Sequence, residues 1–288
     1  MSAPEISFEF FPPRNIEATF RLWDTVQMLA PLKPRFVSVT YGAGGTTRDL
    51  TRDVVATLHK HSGLRTAAHL TCVNASRSET LKIAQDFADA GVRDIVALRG
   101  DPPKDAPGFA PHPTGFAHSV ELIEALAKTG DFNIRVGAYP DTHPEASSLA
   151  SDIDWLKRKL DAGATEALTQ FFFEAETFFR FRDAAAKAGI DQAIVPGILP
   201  IENWKGARAF AKRCGTHIPT WVDEAFTKAT RDNREDLLAT ALCTELCSDL
   251  IDGGVEKLHF YTLNRPELTR DVCFALGVTP EVKLEHVA

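Results

Sequence analysis

The feature that most constrains the fold is a repeated alternation of short β-branched and aromatic runs with longer amphipathic segments. Eight predicted strands cover residues 6–10, 36–40, 67–71, 94–98, 134–139, 167–172, 193–198 and 258–262. Predicted helices cover residues 16–29, 50–60, 78–90, 120–128, 150–162, 177–188, 204–212, 233–251 and 267–276. Strands that alternate with helices pair in parallel, and eight such units close a barrel that has no exposed edge. The pattern predicts an α/β fold, a (β/α)8 TIM barrel that forms a single domain over residues 1–288.

A doubly wound open sheet is the structural alternative. The glycines at residues 42, 44 and 45 follow a predicted strand, but Thr47 stands where the dinucleotide fingerprint requires its last glycine. This mismatch favours the barrel. The segment between residues 198 and 258 is too long for one helix, so it is predicted to hold two, with residues 225–229 as a loop or a helix between them.

Composition narrows the classes of function. Hydrophobic residues make up 44% of the chain, enough for a large core, and the net charge of −7 argues against broad contact with nucleic acid. Neither a leader-like segment nor an apolar run of membrane-spanning length is found in the sequence. The five cysteines form no Cys-x-x-Cys pair, which suits a reducing, cytoplasmic protein. Cys243 and Cys247, four residues apart, are expected to be buried thiols rather than metal ligands.

In a barrel enzyme the chemistry takes place at the carboxyl ends of the strands, and the first predicted strand carries an acid there. Side chains alternate along a strand, so Glu9 lies on the face opposite Phe8 and Phe10. If the two phenylalanines face the helices, Glu9 faces the interior of the barrel. A buried carboxylate there is either part of a structural ion pair or a catalytic acid, and the residues alone leave both possibilities open.

Other strand ends carry polar side chains as well. Arg99, Gly100 and Asp101 follow the fourth predicted strand, where an Arg99–Asp101 ion pair that anchors the loop is the alternative to a ligand site. His69 and His143 gain weight only because they also lie at strand ends. Metal-site spacing is not found among the acidic and histidine residues, and no Gly-x-Ser-x-Gly nucleophile elbow is present.

The helix predicted over residues 150–162 has a polar stripe. Asp152 and Lys159 lie on one face with Trp155, and Arg158 lies beside them. The basic residues could form an ordinary solvated face, or they could bind a diphosphate.

With these residues in view, the sequence resembles the bacterial-type methylenetetrahydrofolate reductases over nearly the whole chain. The matching segments, in order, are residues 7–14 (SFEFFPPR), 33–43 (KPRFVSVTYGA), 69–72 (HLTC), 95–101 (IVALRGD), 138–146 (AYPDTHPEA), 169–173 (TQFFF), 196–200 (PGILP) and 259–265 (HFYTLNR). The resemblance implies a barrel that carries FAD across the carboxyl ends of its strands and uses NADH or NADPH to reduce 5,10-methylenetetrahydrofolate to 5-methyltetrahydrofolate, a step of one-carbon metabolism that supplies methionine.

The resemblance also implies roles for individual residues. Glu9 matches the acid that protonates folate, and Asp101 matches a second catalytic carboxylate that contacts the pterin. Substrate contacts are implied for Gln170, Phe210 and Arg265. The implied FAD contacts are Thr40, Tyr41, Ala43, His69, Arg99, Gly100, Asp101, Ala117, Tyr139, His143, Ala146, Asp152, Arg158 and Lys159.

Two positions depart from the family pattern. Trp155 stands where relatives can carry an asparagine beside FAD, and Gly206 stands where they can carry a substrate-binding glutamine. Relatives form homo-oligomers, so a homo-oligomer is expected, and the C-terminal regulatory domain of animal and plant relatives is not expected here. The competing functions are a flavin-free barrel methyltransferase or aldolase acting on a folate or phosphorylated substrate, and a folate-binding module without catalysis.

Overall fold

The computed structural model describes residues 3–41, 48–102 and 108–280. Its strands are β1 Glu5–Phe10, β2 Val37–Val39, β3 Thr66–Thr71, β4 Asp94–Leu98, β5 Asn133–Ala138, β6 Glu166–Thr169, β7 Ala193–Val195, β8 Gly197–Ile198 and β9 Lys257–Tyr261. Its helices are α1 Ile16–Leu29, α2 Arg48–His61, α3 Arg77–Asp89, α4 Ser119–Ala127, α5 Leu149–Asp161, α6 Ala175–Lys187, α7 Trp204–Cys214, α8 Thr220–Arg231, α9 Glu235–Asp252 and α10 Pro266–Ala275. A 3-10 turn at Ala30–Leu32 follows α1.

The strands form one parallel sheet that closes on itself. Their order is β7-β6-β5-β4-β3-β2-β1-β9-β8. β7 and β8 are two halves of one strand that is interrupted at Pro196. The Pro196 carbonyl accepts a hydrogen bond from the backbone N–H of His259. The first half pairs with β6 and the second with β9, so the interrupted strand joins the two ends of the sheet. The predicted (β/α)8 barrel is confirmed, with its seventh strand divided.

Period-two alternation decides which side chains enter the barrel. Phe8 and Phe10 are buried in the large core between the sheet and the helices, which confirms the orientation predicted for β1. A small separate apolar cluster fills the interior of the barrel. Its members are Phe36, Ala67, Val96, Leu168 and Val195. Glu9 shares this interior, and the polar residues near it build the candidate site.

The amino ends of the strands hold a buried ion network. Arg135 on β5 bridges two carboxylates, with its guanidinium 2.7 Å from Asp94 and 2.8 Å from Glu166. Arg65 is a second cation beside Asp94, and Arg35 is a second cation beside Glu166. The Arg135 guanidinium also lies 3.8 Å from the centre of the Phe36 ring. Because every buried charge has an opposite neighbour, this layer can close the lower end of the barrel.

Several sequence predictions can be compared with the structure here. The stretch 225–229 lies within helix α8, so three helices occupy the segment between β8 and β9. Tyr139, Gln170 and Thr262 lie just beyond strand ends that were predicted to include or adjoin them. Cys243 and Cys247 are buried on α9, as expected. In the part of the chain that the structure describes, no helix is both long enough and apolar enough to cross a membrane.

Candidate active site

A cavity of about 180 Å³ opens at the carboxyl ends of the strands. Five residues predicted for the site line it: Glu9, His69, Tyr139, Gln170 and Phe210. Phe11, Gly137, Tyr261 and Leu263 are among the other lining residues. The cavity is therefore mostly apolar, and Glu9 is the one acid among the described residues of its wall.

Glu9 lies between two histidines. Its Oε2 is 3.2 Å from His69 Nε2 on β3 and 3.8 Å from His259 Nε2 on β9. Neither ring nitrogen makes a well-aligned hydrogen bond, although both are buried. Burial acts to raise the pKa of Glu9, but the charge interaction with His69 and the hydrogen-bonding capacity of His259 and His69 outweigh it and lower the pKa from 4.5 to about 2. Glu9 is thus a carboxylate in this cavity at neutral pH.

The His259 ring is held on its far side by Ser7. Its Nδ1 lies 2.8 Å from Ser7 Oγ, and both residues are fully buried. The Phe36 ring stacks on the imidazole at 5.6 Å, and the Tyr261 ring meets it edge-on at 5.4 Å. Burial lowers the pKa of His259, although Glu9 acts in the opposite direction. The imidazole is consequently fixed in orientation, and burial favours its neutral form.

Phe210 and Tyr261 shape the cavity wall. Phe210 on α7 packs against Phe171 with ring centres 5.1 Å apart. The Tyr261 hydroxyl donates to the Thr169 carbonyl across the interrupted strand. Gln170 follows β6, and its Oε1 accepts the Phe171 N–H at 3.1 Å, so its side-chain NH2 group is the part that can donate to a ligand.

Helix α5 separates the two basic residues predicted to bind a diphosphate. Lys159 is buried, and its Nζ donates to the Gly137 carbonyl at 2.7 Å. Burial lowers the pKa of Lys159 to about 8. Arg158 is exposed and pairs with Asp154 at 2.9 Å. Only Lys159 therefore presents a buried cation at the site, whereas Arg158 lies on the solvated face.

Asp152 lies in the first turn of the same helix and organises the loop after β5. Its carboxylate accepts a hydrogen bond from the His143 backbone N–H. The His143 ring meets the Tyr139 ring edge-on at 4.6 Å, and the Ala146 N–H donates to the His143 carbonyl at 2.8 Å. These four residues, all predicted FAD contacts, form one cluster.

In the loop after β4, the ion-pair partner of Arg99 is not the one considered from the sequence. Arg99 pairs with Glu145, with contacts of 2.6 and 3.1 Å, and not with Asp101, so the proposed Arg99–Asp101 anchor was wrong. Gly100 has φ of +87°, and a Cβ there would lie 2.9 Å from Thr71 and Val73 side-chain atoms, which explains the glycine. Asp101 is exposed and does not line the cavity. Burial of the hydroxyl, followed by the charge of Asp101, raises the pKa of the half-buried Tyr139 to about 12.

The remaining predicted residues that the structure describes do not line the cavity. Thr40 and Tyr41 follow β2, and Thr40 accepts a hydrogen bond from Thr51. Ala117 precedes α4, and Ala43 lies outside the described residues. Arg265 is exposed at the start of α10 and away from the cavity wall, so the structure does not bring it together with Gln170 and Phe210.

Sequence reasoning missed three residues near Glu9. Ser7 lies on the same face of β1 as Glu9, two residues before it. His259 and Tyr261 come beside these residues only because β1 and β9 pair in register, with Ser7 opposite His259 and Glu9 opposite Tyr261. Asn264 was also missed; its side chain accepts the Phe11 N–H and donates to the Phe11 carbonyl, both at 2.9 Å. Residues 259–265 (HFYTLNR) match the family pattern, but the local sequence does not show which strand pairs with them.

Comparison with known proteins gives the relationship of this chain. The family model described as methylenetetrahydrofolate reductase matches residues 2–277. The chain belongs to the methylenetetrahydrofolate reductase family. Among curated relatives, the 5,10-methylenetetrahydrofolate reductase of Pectobacterium carotovorum is 44% identical over 96% of this chain and 91% of its own. The Escherichia coli enzyme of the same description is 45% identical over the same shares.

A solved structure shares the fold at low sequence identity. It is a protein from Clostridium thermocellum that binds two copies of 5-methyl-5,6,7,8-tetrahydrofolic acid, with a TM-score of 0.61, 12% identity and 96% coverage of both chains. At this identity the likeness concerns the fold alone.

The two departures from the methylenetetrahydrofolate reductase pattern can be located. Trp155 lies on α5, where its ring meets the exposed His118 edge-on at 5.4 Å and the Arg158 guanidinium at 5.4 Å. Gly206 lies in the first turn of α7, where its N–H donates to the Asn203 side chain that caps the helix.

Proposed function

We propose that this chain reduces 5,10-methylenetetrahydrofolate to 5-methyltetrahydrofolate, with NADH or NADPH as electron donor and FAD as carrier, in a ping-pong sequence. Membership of the methylenetetrahydrofolate reductase family supports the folate reduction itself. The observation that carries the proposal furthest is the acid Glu9 in the wall of an apolar cavity at the carboxyl ends of the barrel strands. The Clostridium thermocellum protein adds that a barrel of this shape can accommodate the proposed product.

The residues around α5 fit an anionic dinucleotide. Lys159 is a buried cation whose Nζ donates to the Gly137 carbonyl and is attracted by the charge of Asp152, and a diphosphate oxygen would supply a further, directly bonded counter-charge. Arg99 and the cluster of Asp152, His143 and Tyr139 border the same strand ends. FAD held there would accept hydride from the nicotinamide and return it to the folate.

Glu9 would act on the folate rather than on the nucleotide. The bridge between N5 and N10 of the substrate must open before hydride arrives, and a proton delivered to N10 assists that opening. Because Glu9 is a carboxylate in the substrate-free cavity, it must acquire that proton in the substrate complex, where the pterin excludes water and favours the neutral acid. The carboxylate also favours the positive charge that develops as the bridge opens.

One cavity is available for both ligands. Gln170 and Phe210 line the same cavity as Glu9. The nicotinamide and the pterin would therefore occupy this cavity in turn. Gln170 can donate to an amide-like pterin edge or to a nicotinamide carboxamide, and Phe210 offers a ring face for stacking. Alternate occupancy is what ping-pong kinetics require.

The deciding experiment is anaerobic and uses colour. The purified protein is mixed with NADH, and bleaching of the flavin absorbance is followed; methylenetetrahydrofolate is then added, and return of the absorbance is followed. Bleaching followed by recovery supports the proposal. A colourless protein that does not take up FAD contradicts it and favours a flavin-free barrel methyltransferase or aldolase, whereas folate binding without NADH oxidation favours a binding module.

A further inference from the structure

A buried polar cluster inside the barrel is formed by Glu9, His69, His259 and Ser7. Glu9 Oε2 lies within 4 Å of an Nε2 atom from each histidine, at 3.2 and 3.8 Å. His259 and Ser7 are fully buried, and His69 nearly so. A buried cluster of this kind is stable only in proton arrangements that leave few donors and acceptors unmatched.

The proton arrangement of His259 follows from its two neighbours. Ser7 Oγ carries one proton and lies 2.8 Å from His259 Nδ1 and 3.3 Å from the Leu258 carbonyl. A carboxylate opposite Nε2 favours the tautomer that carries its proton on Nε2. Nδ1 then carries no proton and has a free lone pair. This lone pair accepts a hydrogen bond from the Ser7 hydroxyl, over the shorter of the two contacts that Ser7 makes.

We infer that Ser7 and His259 are positioning residues for Glu9: Ser7 holds His259 in the Nε2–H tautomer, and the Nε2 atoms of His259 and His69 both face the Oε2 atom of Glu9 and attract it. The Oε1 atom is then the one left to meet a ligand in the cavity. This inference rests on the proposed function for its kinetic consequence, but its structural part concerns the protein alone.

The charged and titratable groups that face His259 are consistent with this assignment. Glu9 on β1 favours a proton on the ring, whereas His69 on β3 and Arg135 on β5 disfavour a second one, and burial disfavours it most. Tyr261 on β9 and Phe36 beside β2 contact the ring through their aromatic faces or edges. A neutral imidazole with one proton on Nε2 suits all of these neighbours.

The direct test is the tautomer of His259, read from nitrogen chemical shifts of ¹⁵N-histidine-labelled protein. The wild type should show a single Nε2–H form at His259. Ser7→Ala removes the hydroxyl donor, so the ring should populate the Nδ1–H form as well. Ser7→Thr keeps a hydroxyl and should restore the wild-type signal. Ser38→Ala is the matched control, since Ser38 is a buried barrel serine on β2 whose hydroxyl has no hydrogen-bond partner among the described residues.

The kinetic test uses the same variants in the FAD-loaded protein. Ser7→Ala should slow the folate half-reaction roughly 3- to 10-fold, the factor expected for losing one positioning hydrogen bond. His259 lowers the pKa of Glu9, so a weaker contact raises that pKa, and the pH profile of this half-reaction should move to higher pH. Reduction of the flavin by NADH should be unchanged.

Two results would overturn the inference. One is an Nδ1–H tautomer at His259 in the wild type. The other is a Ser7→Ala variant with both an unchanged tautomer and an unmoved pH profile. If the wild type reduces neither flavin nor folate, the proposed function fails, but the chemical shifts still decide the tautomer.

Discussion

At the scale of single residues, the environment of Glu9 decides what it can do. A carboxylate in an apolar wall would ordinarily have a raised pKa, and such a shift would make it a ready proton donor. Here burial acts in that direction, but His69 and His259 reverse the net shift. Glu9 is therefore ionised until a ligand changes its surroundings, so in the proposed function its acid chemistry would depend on the bound folate.

Glu9→Gln should separate the two half-reactions. The amide keeps the shape of the side chain but cannot deliver a proton, so flavin reoxidation by methylenetetrahydrofolate should slow by roughly 10²–10⁴-fold. Stopped-flow reduction by NADH should stay within a few-fold of wild type. Glu174→Gln is the matched control, because Glu174 also follows a barrel strand but accepts a hydrogen bond from Trp221 at the surface. Equal slowing of both half-reactions would make Glu9 a structural residue.

Lys159 should make FAD binding depend on pH. Burial lowers the pKa of Lys159 to about 8 in the protein alone, whereas a bound diphosphate would raise it again. Above about pH 8 binding must take up a proton, so the affinity should fall by up to about tenfold per pH unit. Titration of apoprotein with FAD between about pH 7 and 9 measures this dependence.

Lys159→Met should weaken FAD binding and remove most of that pH dependence. Lys157→Met on the same helix is the control, because Lys157 pairs with Asp161 at the surface, 2.9 Å away. A pH dependence that survives in Lys159→Met would place the diphosphate elsewhere.

At the scale of secondary structure, the interrupted seventh strand is the element that closes the barrel. Pro196 has no N–H, so an unbroken ladder cannot pass through it, and the chain pairs with β6 before it and with β9 after it. Gly197 lies immediately after the break. A Cβ there would lie 2.1 Å from the Thr169 carbonyl oxygen and 2.6 Å from the Tyr261 ring, so only glycine fits.

Gly197→Ala should therefore destabilise the protein, with overpacking that lowers the free energy of unfolding by about 1–3 kcal/mol or more. The displaced ring belongs to Tyr261, a cavity residue, so folate binding should weaken as well. Gly206→Ala is the matched control, since its added Cβ would meet only an ordinary contact at 3.4 Å. Chemical denaturation compares the two, and equal stability would show that the closure tolerates a side chain.

At the scale of the whole molecule, the ion network that stabilises the fold and the candidate site lie at opposite ends of the barrel. Its amino end carries the ion network of Arg135, Asp94 and Glu166, and its carboxyl end carries the cavity. Burial acts to raise the pKa of both carboxyls, but their arginine partners win, and both pKa values are lowered. Carboxyls with lowered pKa stabilise the fold above their unfolded-state values and lose that contribution as the pH falls through the lower folded values.

Arg135→Met should leave two buried carboxylates short of a cation and lower the free energy of unfolding by about 3–5 kcal/mol near neutral pH. The deficit should shrink at acidic pH, where the two carboxyls become protonated in the folded variant, because a neutral carboxyl no longer needs the missing cation. Arg93→Met is the control, because Arg93 forms an exposed pair with Asp131 at 3.5 Å. Denaturation series at several pH values check the prediction, and a deficit independent of pH would contradict it.

Local patterns in the sequence determined much of this protein. Alternation along β1 was sufficient to place Phe8 and Phe10 outside the barrel and Glu9 inside, since successive side chains on a strand point to opposite faces. The succession of strands and helices predicted a closed parallel barrel. The tertiary structure decided the partners: Arg99 pairs with Glu145, Lys159 is buried while Arg158 is solvated, and Ser7 meets His259 across 252 positions of the chain. Such contacts depend on strand register and on closure of the sheet, which set distances between residues that no local spacing relates.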